Sequence, residues 1–157
     1  MLKLLSEFKK EAYISFACQK GKTNAGEPFA EIVKTLKQEA PDNLKGIGIN
    51  CSEPEIVEEF GALMKASFPD LTLVCYPNTG ETWTNNAGEW EVEASQWGGN
   101  RADLASYVPK WLQIGFKWIG GCCRVEPKDI SKIAELVKNK NEQKYSEKSS
   151  LKCISAK

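Results

Sequence analysis

The chain has 157 residues, of which 41% are hydrophobic and 27% are charged, and both fractions are ordinary for one globular domain. Its 21 basic residues balance 21 acidic ones, which argues against nucleic acid or an anionic membrane surface as a partner. The chain contains no histidine. Ser-His-Asp and Cys-His catalysis are therefore excluded, and any zinc site must use thiolates or carboxylates.

The cysteines and the N-terminal segment together predict a cytoplasmic protein. No apolar run approaches the ~18–20 residues of a membrane span. The apolar stretch within Met1–Lys10 is too short for a signal peptide and is interrupted by charge. Without a secretory signal, the six cysteines are expected to be reduced thiols that serve as packing residues, metal ligands or nucleophiles.

Short β-rich runs alternate with amphipathic stretches along the chain. The pattern predicts strands at 12–18, 44–50, 71–76 and 116–121, and helices at 28–40, 53–68, 103–114 and 128–138. The second of these helices begins at Ser52-Glu-Pro-Glu55, which has the spacing of a capping box. Four βα units in a row imply an α/β fold with parallel strands covered by helices. Residues 141–157 are polar and rich in Lys and Ser, so we predict a disordered tail there.

Two groups of cysteines follow predicted strands. Cys51 comes directly after the second strand, and Cys122 and Cys123 come directly after the fourth. Because sites in parallel α/β folds lie at the carboxyl ends of the strands, the two groups can meet in space. Adjacent residues of a regular strand face opposite ways, but Gly120-Gly121 frees the backbone so that both cysteines can turn towards one ion.

Three thiolates with one vacant tetrahedral position are the pattern of a catalytic zinc site. The alternative is that these thiols only pack, since free cysteines are commonly small buried hydrophobes. The same argument makes the other three cysteines structural or incidental. Cys18 and Cys75 lie in apolar strands, and Cys153 lies in the polar tail.

Four segments of the chain carry a recognisable pattern. They are Gly48-Ile-Asn-Cys51-Ser-Glu-Pro54, Tyr76-Pro-Asn-Thr-Gly-Glu81, Tyr107-Val-Pro-Lys-Trp111 and Ile119-Gly-Gly-Cys-Cys-Arg124. In this order they resemble successive landmarks of the homocysteine S-methyltransferase family. The combination of Gly-Gly-Cys-Cys with an upstream Gly-x-Asn-Cys is the most specific part of the resemblance. The Tyr-Pro-Asn-x-Gly-Glu segment is closer to enzymes that use S-methylmethionine or S-adenosylmethionine than to the betaine-using branch.

The resemblance implies a fold and a cofactor. The family fold is a (β/α)8 barrel, which needs about 250 residues. Residues 1–140 are therefore expected to form the second half of such a barrel, with four βα units, as a fragment, a truncated gene model or a short isoform. The family's ligands for Zn²⁺ match Cys51, Cys122 and Cys123. Segments that help to hold the amino acid in relatives have no counterpart here.

The resemblance also implies a reaction and partners. A methyl group would pass from a sulfonium donor to the thiolate of homocysteine, giving methionine. Asn50 and Asn78 are candidate contacts to the substrate, with a role as turn residues as the alternative, and Glu81 and Arg124 are weaker candidates. Since four strands alone would leave two open edges, a second half-barrel or a homodimer is an expected partner.

Two other classes of function stay open at this point. One is a non-catalytic, zinc-binding half-barrel that acts only through a partner chain. The other is a redox protein in which Cys122 and Cys123 form a vicinal disulfide. The redox alternative does not need Cys51 at the site.

Overall fold

The computed structural model describes the backbone of residues 2–80, 82–84, 89–91 and 102–153, and the side chains of residues 2–80 and 102–140. The helices are α1 (Leu2–Glu7), α2 (Phe29–Glu39), α3 (Pro54–Ser67), α4 (Val108–Ile114) and α5 (Pro127–Cys153). The strands are β1 (Ala12–Gln19), β2 (Lys22–Thr23), β3 (Leu44–Asn50), β4 (Thr72–Tyr76), β5 (Thr82–Thr84), β6 (Glu89–Glu91) and β7 (Phe116–Ile119).

One five-stranded sheet organises the fold, in the order β2-β1-β3-β4-β7. β1, β3, β4 and β7 are parallel and lie in chain order, as the sequence predicts. Helices connect them, which is the arrangement of consecutive βα units in a barrel. The predicted half-barrel architecture is confirmed, and within the described residues β7 forms one edge of the sheet.

The core lies between the sheet and its helices. The side chains of Ile47, Ile49 and Leu73 point to this side and are 0% exposed. Val57 of α3 and Trp111 of α4 cover them and are also 0% exposed. Alternate residues of a strand point to opposite faces, so this burial assigns the intervening residues of β3 and β4 to the interior face of the half-barrel.

The interior face combines glycines with exposed aromatic rings. A β-carbon at Gly48 would lie 2.2 Å from the carbonyl oxygen of Val74, so only glycine fits this close approach. The rings of Tyr13 and Trp118 meet edge to face, with centroids 5.8 Å apart. Tyr13 is 47% exposed and Trp118 is 56% exposed. Four strands therefore leave the centre of this face uncovered.

Two short strand pairs were not predicted. β2 folds back antiparallel on the end of β1. β5 and β6 form a separate antiparallel pair within the polar connection that follows β4. β7 is also shorter than predicted, because its pairing ends before Gly120-Gly121.

The predicted capping box at Ser52 is wrong. α3 begins after Glu53, which makes no side-chain capping bond, and Pro54 occupies the first turn. The Ser52 hydroxyl instead donates to the carbonyl of Asn50, 2.9 Å away. Local spacing cannot distinguish a capping serine from one that bonds elsewhere.

The last helix is longer than predicted, since α5 continues to Cys153 instead of ending at residue 138. The sequence after Pro127 contains neither glycine nor proline, so nothing in it interrupts a helix. Helical backbone thus enters the segment 141–157, and the disorder of this segment stays a prediction. No helix in the described part of the chain has the length and apolar character needed to cross a membrane.

Candidate metal centre

The three cysteines of the predicted site lie together at the carboxyl edge of the sheet. Cys51 follows β3, whereas Cys122 and Cys123 follow β7, with β4 between those two strands. Their sulfur atoms all lie within 4.8 Å of one another. Among the residues described, this is the group of three or more Cys, Asp or Glu side chains that could hold a metal ion.

Cys51 and Cys122 are joined by a disulfide, with their Cα atoms 5.5 Å apart. The thiol of Cys123 is free and exposed, and its Sγ lies 3.9 Å from that of Cys122. The expectation of six reduced thiols is therefore wrong for one pair, because the fold brings two distant thiols into contact. The redox alternative predicts a disulfide between the adjacent residues Cys122 and Cys123, and the observed disulfide is a different one. Metal binding requires reduction of this pair, since thiolates are the ligands.

The end of β4 holds both cysteine-bearing loops in place. The Cys51 N–H donates to the carbonyl of Tyr76, 3.1 Å away. The Cys122 N–H donates to the carbonyl of Pro77, 2.8 Å away. Two consecutive carbonyls of one segment therefore set the spacing between the cysteine groups. In the sequence, this segment is recognisable only by its resemblance to the family.

The backbone is unusual at both loops. Cys51 has φ of 45° and Arg124 has φ of 67°, which is the left-handed region that non-glycine residues seldom adopt. Such residues cost on the order of 1–3 kcal/mol each and cluster at functional sites. The left-handed conformation at Cys51 marks the point where the chain leaves β3, immediately before α3.

The structure describes three of the four candidate substrate contacts, namely Asn50, Asn78 and Arg124. Asn50 ends β3, is half-buried and lies on the same face as Gly48. Asn78 is 8% exposed, and its side-chain oxygen accepts the N–H of Gly80 at 2.9 Å, as a turn residue does. Arg124 is exposed and follows Cys123 directly. Glu81 lies outside the described residues.

Ser52 is the residue that the sequence analysis assigned to a different role. It is 2% exposed, and its hydroxyl accepts the N–H of Cys18 at 2.8 Å while donating to Asn50. A hydroxyl can donate one hydrogen bond and accept others, so both capacities are used here. No local pattern would have revealed this bond, because Cys18 is 34 positions away.

Two other cysteines, Cys18 and Cys75, are buried, and both thiols have raised pKa values. Burial raises the pKa of Cys18 to about 12, and the carboxylate of Glu59 adds to the effect. Burial also raises the pKa of the Cys75 thiol. Because thiolates are the reactive and metal-binding form, this favours the structural role predicted for both.

Comparison with known proteins places these features in one family. The family model described as homocysteine S-methyltransferase matches residues 1–137. Betaine-homocysteine S-methyltransferase of Drosophila melanogaster is 35% identical over 137 residues, which cover 82% of this chain and 39% of that protein. Homocysteine S-methyltransferase 1 of Arabidopsis thaliana is 33% identical over 146 residues, which cover 88% of this chain and 42% of that protein.

The similar solved structures include those of a homocysteine methyltransferase. The homocysteine methyltransferase MmuM from Escherichia coli, in its apo form, is similar with a TM-score of 0.62 and 26% identity, covering 85% of this chain and 43% of that one. Its metallated form has a TM-score of 0.56 and 27% identity, covering 78% and 34%. The chain thus spans less than half the length of these relatives.

Proposed function

We propose, from the premise that this chain belongs to the homocysteine S-methyltransferase family, that it supplies the zinc-binding half of an enzyme that methylates homocysteine. The observation that carries the proposal is the cluster of Cys51, Cys122 and Cys123, with all sulfurs within 4.8 Å. The proposed donor is S-methylmethionine or S-adenosylmethionine. That choice rests on the segment Tyr76–Glu81.

The donor set fits a catalytic zinc ion. Zn–S bonds are about 2.3 Å long, so three sulfurs at this separation can share one ion after small side-chain rotations. Soft thiolates favour Zn²⁺, and three protein ligands leave one position for a substrate. Reduction of the Cys51–Cys122 disulfide would supply the thiolates, and the reducing cytoplasm, where we place the reaction, would maintain them.

The chain's own residues have defined roles in this proposal. Zinc, when bound, would favour the thiolate form of the homocysteine sulfur. The negative charge of Cys51, Cys122 and Cys123 attracts a cationic sulfonium donor. We assign Asn50 to contact with the substrate, because it lies at the strand end beside Cys51 on the interior face. Asn78, Glu81 and Arg124 are weaker proposals of the same kind.

A second half-barrel is needed for catalysis, and we propose that another copy of the chain or a different polypeptide provides it. Two observations support this. The relatives are more than twice as long as the matched segment. The rings of Tyr13 and Trp118 are about half exposed at the centre of the interior face. Methyl transfer between two sulfurs needs an enclosed site that aligns them, and small misplacements cost orders of magnitude in rate.

Zinc binding by the reduced chain tests the metal assignment. We expect chelator competition to detect a zinc site in the wild type that Cys51→Ala abolishes. Cys18→Ala is the matched control, because it removes a buried cysteine outside the cluster, and it should keep the wild-type affinity. Equal affinity in wild type and Cys51→Ala would refute the three-cysteine site and favour the dithiol alternative.

Methionine formation tests the need for a second half. Homocysteine with S-methylmethionine or S-adenosylmethionine is supplied to this chain and to a full-length relative under identical conditions. We expect the relative to turn over and the chain alone to be inactive or nearly so. Comparable turnover by the chain would contradict this, and its oligomeric state would then show whether two copies complete the barrel.

A further inference from the structure

Ser52 connects three neighbouring strand ends at the candidate metal centre. Its hydroxyl accepts the N–H of Cys18 at the end of β1, at 2.8 Å, and donates to the carbonyl of Asn50 at the end of β3, at 2.9 Å. Its backbone carbonyl accepts the N–H of Asn78, which follows β4, at 3.0 Å. The residue is 2% exposed, so none of these bonds competes with bulk water.

These bonds begin where the strand ladder stops. Ala17 and Asn50 form the last pair of the ladder between β1 and β3. Cys51 then turns into the left-handed region, with φ of 45°, so the backbone leaves the sheet. Beyond this last pair, the hydrogen bond between the Ser52 hydroxyl and the N–H of Cys18 connects the segment after β3 to the end of β1. The unfavourable conformation of Cys51 therefore lies between Asn50 and Ser52, both of which are anchored.

We propose that the Ser52 hydroxyl is a positioning group, which holds Cys51 in the conformation that places its sulfur beside Cys122. Without the hydroxyl, the N–H of Cys18 and the carbonyl of Asn50 lose a buried partner, and the loop is free to relax the backbone at Cys51. The consequence for metal affinity rests on the proposed function. The consequence for the distance between the two sulfurs does not.

The closing experiment therefore has two arms. In the first, each protein is equilibrated in a glutathione buffer, where oxidised glutathione takes two electrons from the Cys51 and Cys122 thiols, forming their disulfide and two reduced glutathione molecules. Peptide mapping gives the equilibrium constant, which reports how well the fold holds the two sulfurs together. In the second arm, chelator competition gives the zinc dissociation constant of the reduced protein.

Four proteins are compared, namely the wild type, Ser52→Ala, Ser52→Thr and Ser106→Ala. Ser106→Ala is the matched control, because it removes an exposed hydroxyl that bonds only locally, to Asp103. Ser52→Ala removes both side-chain hydrogen bonds. We expect it to lower the disulfide equilibrium constant about tenfold, because the loop can relax when the two thiols are reduced but not when they are joined, and to weaken zinc binding about 10–100-fold. Ser52→Thr retains the hydroxyl and should keep most of both values.

The outcomes separate this inference from the proposed function. An unchanged disulfide constant in folded Ser52→Ala overturns the positioning role, even if the variant is less stable. A lowered constant together with no zinc binding by the wild type supports the positioning role and refutes the zinc site. If Ser52→Ala does not fold, a fifth protein, Ser52→Val, is compared with Ser52→Thr, because the two differ only in the hydroxyl: a constant about tenfold lower in Ser52→Val supports the role, and equal constants overturn it.

Discussion

Gly121 and Val125 lie so close that a β-carbon on Gly121 would be 2.3 Å from Cγ1 of Val125. The N–H of Val125 donates to the carbonyl of Cys122 at 3.2 Å, so the loop folds back over the glycine. The left-handed backbone of Arg124 completes this turn. The position of the Cys122 sulfur therefore depends on the absence of a side chain at Gly121.

Replacing Gly121 by alanine should damage the site, whereas the same change at Gly120 should not. We expect Gly121→Ala to lower the free energy of unfolding by about 1–3 kcal/mol, as overpacking does, and to weaken zinc binding by displacing Cys122. A β-carbon at Gly120 would meet only the β-carbon of Tyr76, at an ordinary 3.7 Å. Urea denaturation and chelator competition measure both effects, and equal results for the two variants would contradict the prediction.

The reduced cysteines should differ in their reaction with iodoacetamide at pH 8. Cys123 is exposed and should be alkylated rapidly. Cys18 should react slowly, because its pKa of about 12 leaves almost no thiolate. Cys75 should also be slow, since burial raises its pKa and blocks access. Mass spectrometry of timed samples gives the rates, and a urea-unfolded sample is the control in which the differences should vanish.

The burial of Cys75 predicts that stability falls at alkaline pH. Its folded pKa is raised, so the stabilisation is fully present below the unfolded thiol pKa of about 8.5 and is lost as pH rises above that value. The loss is at most about 1.4 kcal/mol per pH unit. Urea denaturation from pH 8 to 10.5 measures it. Cys75→Ala should show a shallower decline than the wild type, and an identical decline in both would count against the prediction.

Asn43 should anchor α1 without affecting the candidate metal centre. Its side-chain nitrogen shares its two N–H donors among the carbonyls of Leu5, Phe8 and Lys10, which lie 3.0, 2.7 and 2.9 Å away. Asn43→Asp keeps the shape but removes the donors, so we expect a loss of about 1–3 kcal/mol in stability and faster amide exchange in residues 2–10. Zinc affinity should not change, because Asn43 precedes β3 and the cysteines follow it. If residues 2–10 of Asn43→Asp exchanged their amide protons at the wild-type rate, the hydrogen bonds of the Asn43 side chain would be dispensable for anchoring α1.

The sequence by itself determined the four main strands of this protein and the edge of the sheet at which the candidate site lies. The four main strands begin and end within two residues of their predicted positions, because apolar periodicity reflects which side chains a strand buries. The position of Cys51, Cys122 and Cys123 at strand ends followed from the same pattern. Parallel strands bring their carboxyl ends together whatever the details of the loops.

Only the tertiary structure decided which groups make contact at that edge. It paired Cys51 with Cys122 and left Cys123 as a free thiol. It also gave Ser52 a partner 34 positions away instead of a helix cap. These outcomes depend on strand register and on loop conformations such as the left-handed backbone at Cys51, which are set by contacts between distant segments. A local pattern carries no information about such contacts, because a hydrogen bond needs its donor and acceptor within about 2.7–3.2 Å of each other, and distant segments reach that separation only after the sheet has assembled.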